Sequence, residues 1–244
     1  MKFYKNVDLS RIKVLSFDLD NTIYDCQSVL TAAENWLTAF LCEKFSLGGE
    51  CLEYAFWAKI KSEILHQNRE LANDVGYLRA LSLVEAFNRL KLPLKGGIDE
   101  ATEYVNEFVI HRSSGVVHDE VHELLKKLKA KYRLIAVSNG NLDPKILGVN
   151  HYFEYDVRPK MYELQCKPHE DMFNHAAALM GVKKDEMLHI GDDPYTDVYG
   201  AVNSSIPCAW IYKGYTGISP DERHLKHLPE IVLDNVLELE ALLL

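Results

Sequence analysis

Several features that would assign a chain to a specialised class are missing from this sequence. It has no Cys-x-x-Cys pair, no block of basic residues, no apolar run long enough to cross a bilayer and no internal repeat. The first absence disfavours a structural zinc site, and the third disfavours a membrane-spanning helix. A net charge of −9 without a basic block also makes nucleic acid an unexpected partner.

Cysteine is scarce and shows no pairing pattern. The five cysteines are odd in number and widely spaced, so we interpret them as reduced thiols, as is usual in the cytoplasm. Residues 1–6 lack the apolar core of a secretory signal. We therefore expect a cytoplasmic protein that acts without a membrane and without an obligate protein partner.

Two acids follow an apolar run near the start of the chain. The run 12–17 predicts a buried strand, and Asp18-Leu19-Asp20-Asn21-Thr22 continues directly from it. Residues two apart on a strand point the same way, so Asp18 and Asp20 can converge where ligands bind in α/β sheets. Two carboxylates there can hold a hard divalent cation or attack phosphorus. The same residue types also cap helices and form turns, so this motif alone leaves both interpretations open.

Three later segments carry related chemistry. A second predicted strand, 134–137, runs into Ser138 and Asn139, whose hydroxyl and backbone N–H groups suit phosphate oxygens. Lys167 precedes a predicted helix, 169–180, and could neutralise phosphate charge. A third predicted strand, 187–190, ends in Gly191-Asp192-Asp193, which could complete a cation site with Asp18. Each segment is weak alone, and it is their combination that points to phosphate chemistry.

The four motifs appear in an order that resembles the haloacid dehalogenase superfamily. The resemblance rests on Asp18-Leu19-Asp20-Asn21-Thr22, then Ser138, then Lys167, then Gly191-Asp192-Asp193 with Asp197. Four segments look most like the branch that includes bacterial riboflavin-pathway phosphatases. They are Phe3-Tyr4, Ile23-Tyr24-Asp25, Ser138-Asn139-Gly140-Asn141 and Gly191-Asp192-Asp193. Members of that branch act on flavin mononucleotide and related ribityl phosphates.

The resemblance implies phosphoryl transfer through an aspartyl-phosphate. Asp18 would attack phosphorus, and Asp20 would protonate the leaving group and then activate water. Magnesium would be bound by Asp18, by the backbone carbonyl of Asp20 and by Asp192. The implied enzyme is a phosphatase, because the dehalogenases of the superfamily lack the acid that corresponds to Asp20.

The remaining motif residues have supporting roles in this scheme. The transferred oxygens would be held by Ser138, by the N–H of Asn139 and by Lys167. Asp193 and Asp197 would orient water or Lys167, and Thr22 would fix the turn after the first strand. His189 lies inside an apolar strand, and we interpret it as a structural residue.

The order of predicted elements indicates an α/β fold with an insertion. After about residue 115, strands and helices alternate, which predicts a Rossmann-like parallel sheet with helices on both faces. This includes short predicted elements such as a helix at 144–147. Residues 26–114 show helical periodicity and no strand signal. We expect an α/β core formed by 1–25 and 115–244 and an inserted helical cap formed by 26–114.

The substrate is expected to be a small phosphorylated metabolite. Flavin mononucleotide and 5-amino-6-(5-phosphoribitylamino)uracil are the leading candidates, from the resemblance and from the aromatic content of the cap. The aromatic residues considered are Trp36, Phe40, Tyr54, Phe56, Trp57 and Tyr77, although helical spacing equally favours a role in the core of the cap. Two alternatives stay open: a phosphomutase on the same scaffold, and a non-catalytic regulatory protein that binds magnesium and phosphate.

Overall fold

A computed structural model describes residues 1–47, 54–212 and 227–244 of the chain. Their contacts divide into two compact units. The first contains Met1–Gln27, Gly115–Gly140 and Leu147–Leu244, and the second contains Ser28–Ser114 and Asn141–Ile146. The sequence also predicts a surface loop at 214–220, and this segment and Cys51 lie outside the described residues.

The first unit is built on one seven-stranded sheet. Its strands are β1 (Lys2–Phe3), β2 (Val14–Phe17), β3 (Arg133–Val137), β4 (Tyr155–Val157), β5 (Met187–Gly191), β6 (Cys208–Ile211) and β7 (Ile231–Leu233). They lie in the order β1-β7-β6-β5-β2-β3-β4. All neighbouring pairs are parallel except β1 with β7. The predicted fold class, an α/β fold with a largely parallel sheet, is confirmed.

Strand β2 occupies the middle of the sheet. All four of its residues are buried, as are all five of β5, which is the pattern expected where helices cover both faces. From β2 the chain builds β3 and β4 on one side and then returns to the other side with β5. The carboxyl ends of β2 and β5 therefore flank a topological switch point, where α/β sheets form their ligand crevice.

Among the described residues, four α-helices belong wholly to the first unit: α5 (Asp119–Lys131), α6 (Asp171–Met180), α7 (Gly200–Asn203) and α8 (Leu239–Leu243). Helix α5 buries Val121, Leu124, Leu125 and Leu128, as its periodicity predicts. A π-helical turn, Pro194–Tyr199, precedes α7. The sequence also predicted a helix at 144–147. That prediction is wrong, because Asp143 accepts a bond from the N–H of Lys145 in a local turn and Gly148 has φ +81°.

The second unit is helical. It contains most of α1 (Cys26–Lys44) and all of α2 (Tyr54–Gln67), α3 (Val75–Leu90) and α4 (Gly97–Ser113). Its buried core includes Leu37, Leu41, Leu83, Phe87 and Phe108. Trp36 stacks on Phe40 and on His111, with ring centroids 5.4 and 3.8 Å apart. No helix among the described residues combines the length and the hydropathy needed to cross a membrane.

Candidate active site

The ends of three adjacent strands bring the motif residues to one edge of the sheet. Asp18 follows β2, and its N–H donates to the carbonyl of Ile190 in β5 at 2.8 Å. Ser138 follows β3, and its N–H donates to Val157 in β4 at 3.1 Å. Asp192 follows β5. Asp18 and Ser138 are buried, while Asp192 is partly exposed.

Lys167 is buried between two carboxylates. Its Nζ lies 2.8 Å from Asp18 Oδ1 and 2.6 Å from Asp197 Oδ1, and its side chain is 1% exposed. Burial alone would lower the pKa of Lys167, but Asp18 and Asp197 outweigh it and raise that pKa above its usual value. The lysine therefore remains a cation without contact with water, which a buried ammonium achieves only beside anions.

The side chain of Asn139 fixes the backbone of Lys167. Its Nδ2 donates to the carbonyl of Lys167, and its Oδ1 accepts from the N–H of Lys167, both at 2.8 Å. The sequence suggested only the backbone N–H of Asn139 as a functional group. The paired amide bonds show that this residue also joins the loop after β3 to the segment that carries the lysine.

Asp197 is surrounded by donors. Oδ1 contacts Lys167 Nζ and His189 Nε2, the latter at 3.1 Å, and Oδ2 accepts from the N–H of Asp193 at 3.0 Å. Burial would raise the pKa of Asp197, yet Lys167 and His189 hold it well below its usual range. Asp197 is therefore an ionised anchor for Lys167. With both oxygens engaged, it is a poor candidate for a metal ligand.

His189 is fully buried in β5 and is hydrogen-bonded at both ring nitrogens. Besides Asp197, it contacts Ser16 Oγ in β2 through Nδ1 at 3.0 Å. Burial lowers the pKa of His189, which favours the neutral ring. As a neutral imidazole, it donates through one nitrogen and accepts through the other. The histidine is structural, as expected, but it also positions the carboxylate that holds Lys167.

The positive charge near Asp18 and Asp192 is too small to keep the pKa values of these two carboxyl groups at their usual level. Together with Asp197 they place one oxygen each within 4.8 Å of one another. Burial raises the pKa of Asp18 to about 7, although Lys167 opposes the rise. Burial and the neighbouring carboxylates raise the pKa of Asp192 to about 9. The cluster therefore binds protons readily and has the all-oxygen donor set that hard divalent cations favour.

Asp20 and Thr22 lie on the turn that follows β2. The hydroxyl of Tyr24, a buried residue, donates to Asp20 Oδ1. Asp20 is near enough for its charge to raise the pKa of Asp18. Asn21 adopts φ 55° and accepts a bond from the N–H of Cys26 at 3.1 Å, so the turn is held by its own side chains. Thr22 is buried, and its hydroxyl lies 3.5 Å from Asp192 Oδ1.

The loop after β5 is fixed at both ends. The indole N–H of Trp210 donates to the carbonyl of Asp192 at 2.7 Å. Asp193 Oδ1 accepts from the N–H groups of Tyr195 and Thr196, at 2.8 and 2.6 Å, and so caps the π-helical turn. Asp193 therefore organises the loop, while Asp192 is left to face the carboxylate cluster.

Arg158 was not singled out by the sequence, and it supports the loop after β3. It is 6% exposed, its Nε donates to Asp156 at 2.7 Å, and its Nη1 donates to the carbonyl of Gly140 at 2.5 Å. The N–H of Gly140 in turn donates to Ser138 Oγ at 3.3 Å. An arginine directly after a short strand is the only signal that the sequence carries for this role.

Gly191 is required by the position of Asp197. A Cβ atom on Gly191 would lie 2.3 Å from Cγ of Asp197, far inside van der Waals contact. We expect Gly191→Ala to displace Asp197, to free Lys167 from one of its two anions and to lower kcat at least about tenfold, or 1.4 kcal/mol. Steady-state kinetics checks this expectation. Gly76→Ala is the control for a glycine change, because a Cβ there would have its nearest atom at 3.5 Å, an ordinary contact. Equal activity of the two variants would contradict this packing argument.

The comparisons with known proteins agree with this geometry. The haloacid dehalogenase-like hydrolase family matches residues 12–204. The 5-amino-6-(5-phospho-D-ribitylamino)uracil phosphatase YigB of Escherichia coli is 31% identical over 93% of this chain and 95% of its own length. The mouse N-acylneuraminate-9-phosphatase is 25% identical over 96% of this chain and 95% of its own length.

Among solved structures, a 2-haloacid dehalogenase from Pseudomonas syringae pv. Tomato superposes with a TM-score of 0.83. It is 25% identical, and the match covers 95% of this chain and 98% of that one. The named phosphatases among the relatives confirm the predicted enzyme class, a phosphoric monoester hydrolase. With the family match across most of its length, the chain belongs to the haloacid dehalogenase-like hydrolases.

Proposed function

We propose that the protein is a magnesium-dependent phosphatase that hydrolyses a small phosphorylated metabolite through an aspartyl-phosphate on Asp18. The observation that carries the proposal is the buried pair of Asp18 and Lys167, 2.8 Å apart, with Asp20 two residues further along the same turn. A buried carboxylate with a paired lysine beside it and a second acid nearby provides a nucleophile and a proton donor in one site.

Asp18 is suited to attack phosphorus because only one of its oxygens is engaged. Oδ1 accepts the bond from Lys167, and Oδ2 has no hydrogen bond from the residues that the structure describes. The lysine fixes the orientation of the carboxylate and favours its ionised form, against the effect of burial on its pKa. The free oxygen forms the new bond to phosphorus as the bond from phosphorus to the alkoxide breaks.

Asp20 is the candidate proton donor and acceptor. In its neutral form it gives its proton to the leaving alkoxide, and the resulting carboxylate then takes a proton from the water that hydrolyses the aspartyl-phosphate. The Tyr24 hydroxyl holds Asp20 Oδ1, which restricts the carboxyl group to one orientation. The partial exposure of Asp20, in contrast to buried Asp18, leaves it accessible to the leaving group and to water.

The phosphate oxygens require donors at the same edge of the sheet. Ser138 supplies a buried hydroxyl, Asn139 supplies its backbone N–H, and Lys167 supplies a cation. Asn139 connects these groups, because its side chain fixes the backbone of Lys167 from both sides. Donors that are fixed before the substrate arrives stabilise the charge that develops during transfer without reorganisation.

The acidic cluster fits a magnesium ion. Asp18, Asp192 and Asp197 place one oxygen each within 4.8 Å of one another, and the charges of Asp20 and Asp193 lie nearby. The pKa values of Asp18 and Asp192 are raised to about 7 and about 9. A divalent cation would relieve this excess of negative charge. Asp18, Asp192 and the backbone carbonyl of Asp20 would hold it. When bound, it would neutralise charge between the attacking carboxylate and the phosphate.

Magnesium should stabilise the protein more as the pH rises. Carboxyl groups with raised pKa values favour folding while they are protonated, so this contribution is lost as the pH rises through about 7 and then about 9. Magnesium replaces the lost protons and restores the stability. We expect the magnesium-induced rise in Tm, relative to a chelator, to be larger at about pH 8.5 than at about pH 6.

Asp192→Asn tests whether protons and magnesium stabilise the protein at the same carboxylate cluster. The variant lacks the carboxylate with the most strongly raised pKa, so it should unfold at a higher temperature than wild type in chelator at about pH 8.5. It should also lose most of the response to magnesium. A magnesium effect that is independent of pH, or undiminished in Asp192→Asn, would contradict the assignment of the cation to this cluster.

Other reactions on this scaffold are distinguished by Asp20 and by the second unit. A dehalogenase is the named activity of a structural neighbour, but that reaction does not need a second acid to protonate an alkoxide. We propose that residues 26–114 form the cap that selects the substrate, and a phosphomutase would differ in this part. A non-catalytic protein that only binds phosphate does not require the complete set of reacting groups. The set is complete here: Asp18, Asp20, Ser138, Lys167 and Asp192.

For the substrate, we propose a phosphate ester that carries a planar ring. Support comes from the 31% identity to a phosphatase named for a ribitylaminouracil phosphate. The aromatic residues give less support. Trp36 and Phe40 stack within the core of the helical unit, whereas Trp57 lines a cavity and Tyr77 is 43% exposed. The side chain of Tyr54 lies outside the described parts of the structure.

Two assays test this proposal. The first assay is the hydrolysis of p-nitrophenyl phosphate, which we expect to depend on magnesium. If no hydrolysis is found, the protein is the non-catalytic one that binds magnesium and phosphate. If activity requires a bisphosphate activator, the protein is a phosphomutase. A comparison of kcat/KM should then rank flavin mononucleotide or the ribitylaminouracil phosphate above glucose 6-phosphate. If sugar phosphates lead every ring-bearing ester by tenfold, about 1.4 kcal/mol, the substrate class is wrong while the phosphatase stands.

A further inference from the structure

A cavity lies within the helical unit, among helices α1, α2 and α3. Its volume is about 280 Å³, which is sufficient for a small organic molecule. It is lined by Glu34, Leu37, Thr38, Trp57, Ala58, Lys61, Ser62, Leu65, Arg79, Ser82 and Leu83. None of these residues belongs to the carboxylate cluster of the first unit.

The lining has one flat aromatic wall and several aliphatic ones. Trp57 is partly buried against the core of the helical unit, and Phe56 packs against it edge to face at 5.7 Å. Leu37 and Leu83 are buried behind the cavity. An indole ring held in this way offers a fixed surface on which another planar ring can stack.

Three polar groups of the lining have no hydrogen-bond partner within the described residues, whereas Glu34, Arg79 and Ser82 are hydrogen-bonded. The three are the ammonium of Lys61 and the hydroxyls of Thr38 and Ser62. A small-molecule site typically has apolar walls and a few polar groups that fix the orientation of the ligand, and this cavity offers three such groups.

The charge of the lining favours an anion. Arg79 donates two bonds to Glu34, at 3.0 and 2.7 Å, and its guanidinium lies 3.8 Å from the centre of the Phe108 ring. That pair is neutral overall, so Lys61 is the uncompensated charge. Burial and the nearby Arg79 lower the pKa of Lys61, which an anionic partner would reverse. The cavity is thus locally positive in a chain whose net charge is −9.

We propose that this cavity binds a small organic anion with a planar ring, with the ring against Trp57 and the anionic group at Lys61, Thr38 and Ser62. The ligand is a separate metabolite with this chemistry, held by residues of the helical unit alone. The binding itself does not depend on phosphatase activity.

Calorimetric titration of the full chain with indole-3-acetate tests the proposal. Indole-3-acetamide is the matched probe, because it keeps the ring and lacks the charge. We expect saturable binding of the acetate and at least tenfold weaker binding of the amide. Lys61→Met should remove this difference, whereas Lys59→Met, on the same helix but outside the lining, should retain it. Neither lysine side chain has a hydrogen bond or an ion pair among the described residues, so neither change threatens the fold.

The absence of saturable binding, or the same effect of both lysine variants, would overturn the proposal.

Discussion

Asp18→Asn is expected to lose turnover by several powers of ten while the fold is retained. Asparagine has the shape of aspartate but is a poor nucleophile, so the aspartyl-phosphate cannot form. Each factor of ten corresponds to about 1.4 kcal/mol in activation free energy. The measurement is kcat on p-nitrophenyl phosphate under saturating magnesium, and a variant that keeps more than about a tenth of the wild-type rate would remove Asp18 from the role of nucleophile.

A control must show that this loss does not come from unfolding or from a general charge effect. Asp25→Asn makes the same chemical change just before α1, where the side chain accepts a bond from the N–H of Gln27 at 3.0 Å. Asparagine can accept the same bond, so activity should be close to wild type. Circular dichroism and thermal unfolding should report a folded protein for both variants.

Asp20→Asn is expected to be severely impaired in a way that depends on the leaving group. An alkoxide leaves slowly without a proton, whereas p-nitrophenolate needs little protonation. The first step should therefore survive better with the aryl ester than with an alkyl phosphate. The second step, attack of water on the aspartyl-phosphate, should be slow with both, because the general base is missing.

A rapid-mixing experiment separates the two steps. Wild type and Asp20→Asn are mixed with p-nitrophenyl phosphate, and the variant should release a burst of about one nitrophenolate per active site before a slow steady state. Tyr24→Phe, which removes the hydroxyl bonded to Asp20, should show a milder defect without the burst. Equal losses on aryl and alkyl esters, without a burst, would remove the acid–base role from Asp20.

The strand ends could be predicted from the sequence because their signals are local. An apolar run followed by acids marks the end of a buried strand, and this holds for Asp18 after β2 and for Asp192 after β5. The alternation of helices and strands then indicates a parallel sheet, whose strand ends share one edge. The two-residue strand β1 was missed because it is too short to show periodicity.

The contacts that hold the site together depend on register and on distant loops. His189 meets Ser16 because these residues are paired across β2 and β5, and the order of the strands cannot be derived from either segment alone. Asn139 and Lys167 are 28 residues apart, and their paired bonds require both loops to be in place. Gly191 indicated a turn, but the reason for it is the side chain of Asp197 packed against its Cα.

The aromatic residues of the helical unit show the limit of spacing arguments. Trp36 and Phe40 are four residues apart on α1, which fits both a helix packed on its neighbours and a ligand platform. The structure stacks them on each other and packs Phe40 against Tyr104 at 5.5 Å, within the core of the unit. Trp57 lies on a helix with similar apolar periodicity, but it lines a cavity.

The central claim is that phosphate is transferred to Asp18, and chemical trapping tests it most directly. Asp20→Asn is quenched during turnover of p-nitrophenyl phosphate and treated with borohydride, which reduces an acyl phosphate to an alcohol. Peptide mass spectrometry should then find homoserine in place of Asp18, and Asp18→Asn carried through the same steps should show none. Unmodified Asp18 in a variant that displays the burst, or homoserine at another aspartate, would contradict the account.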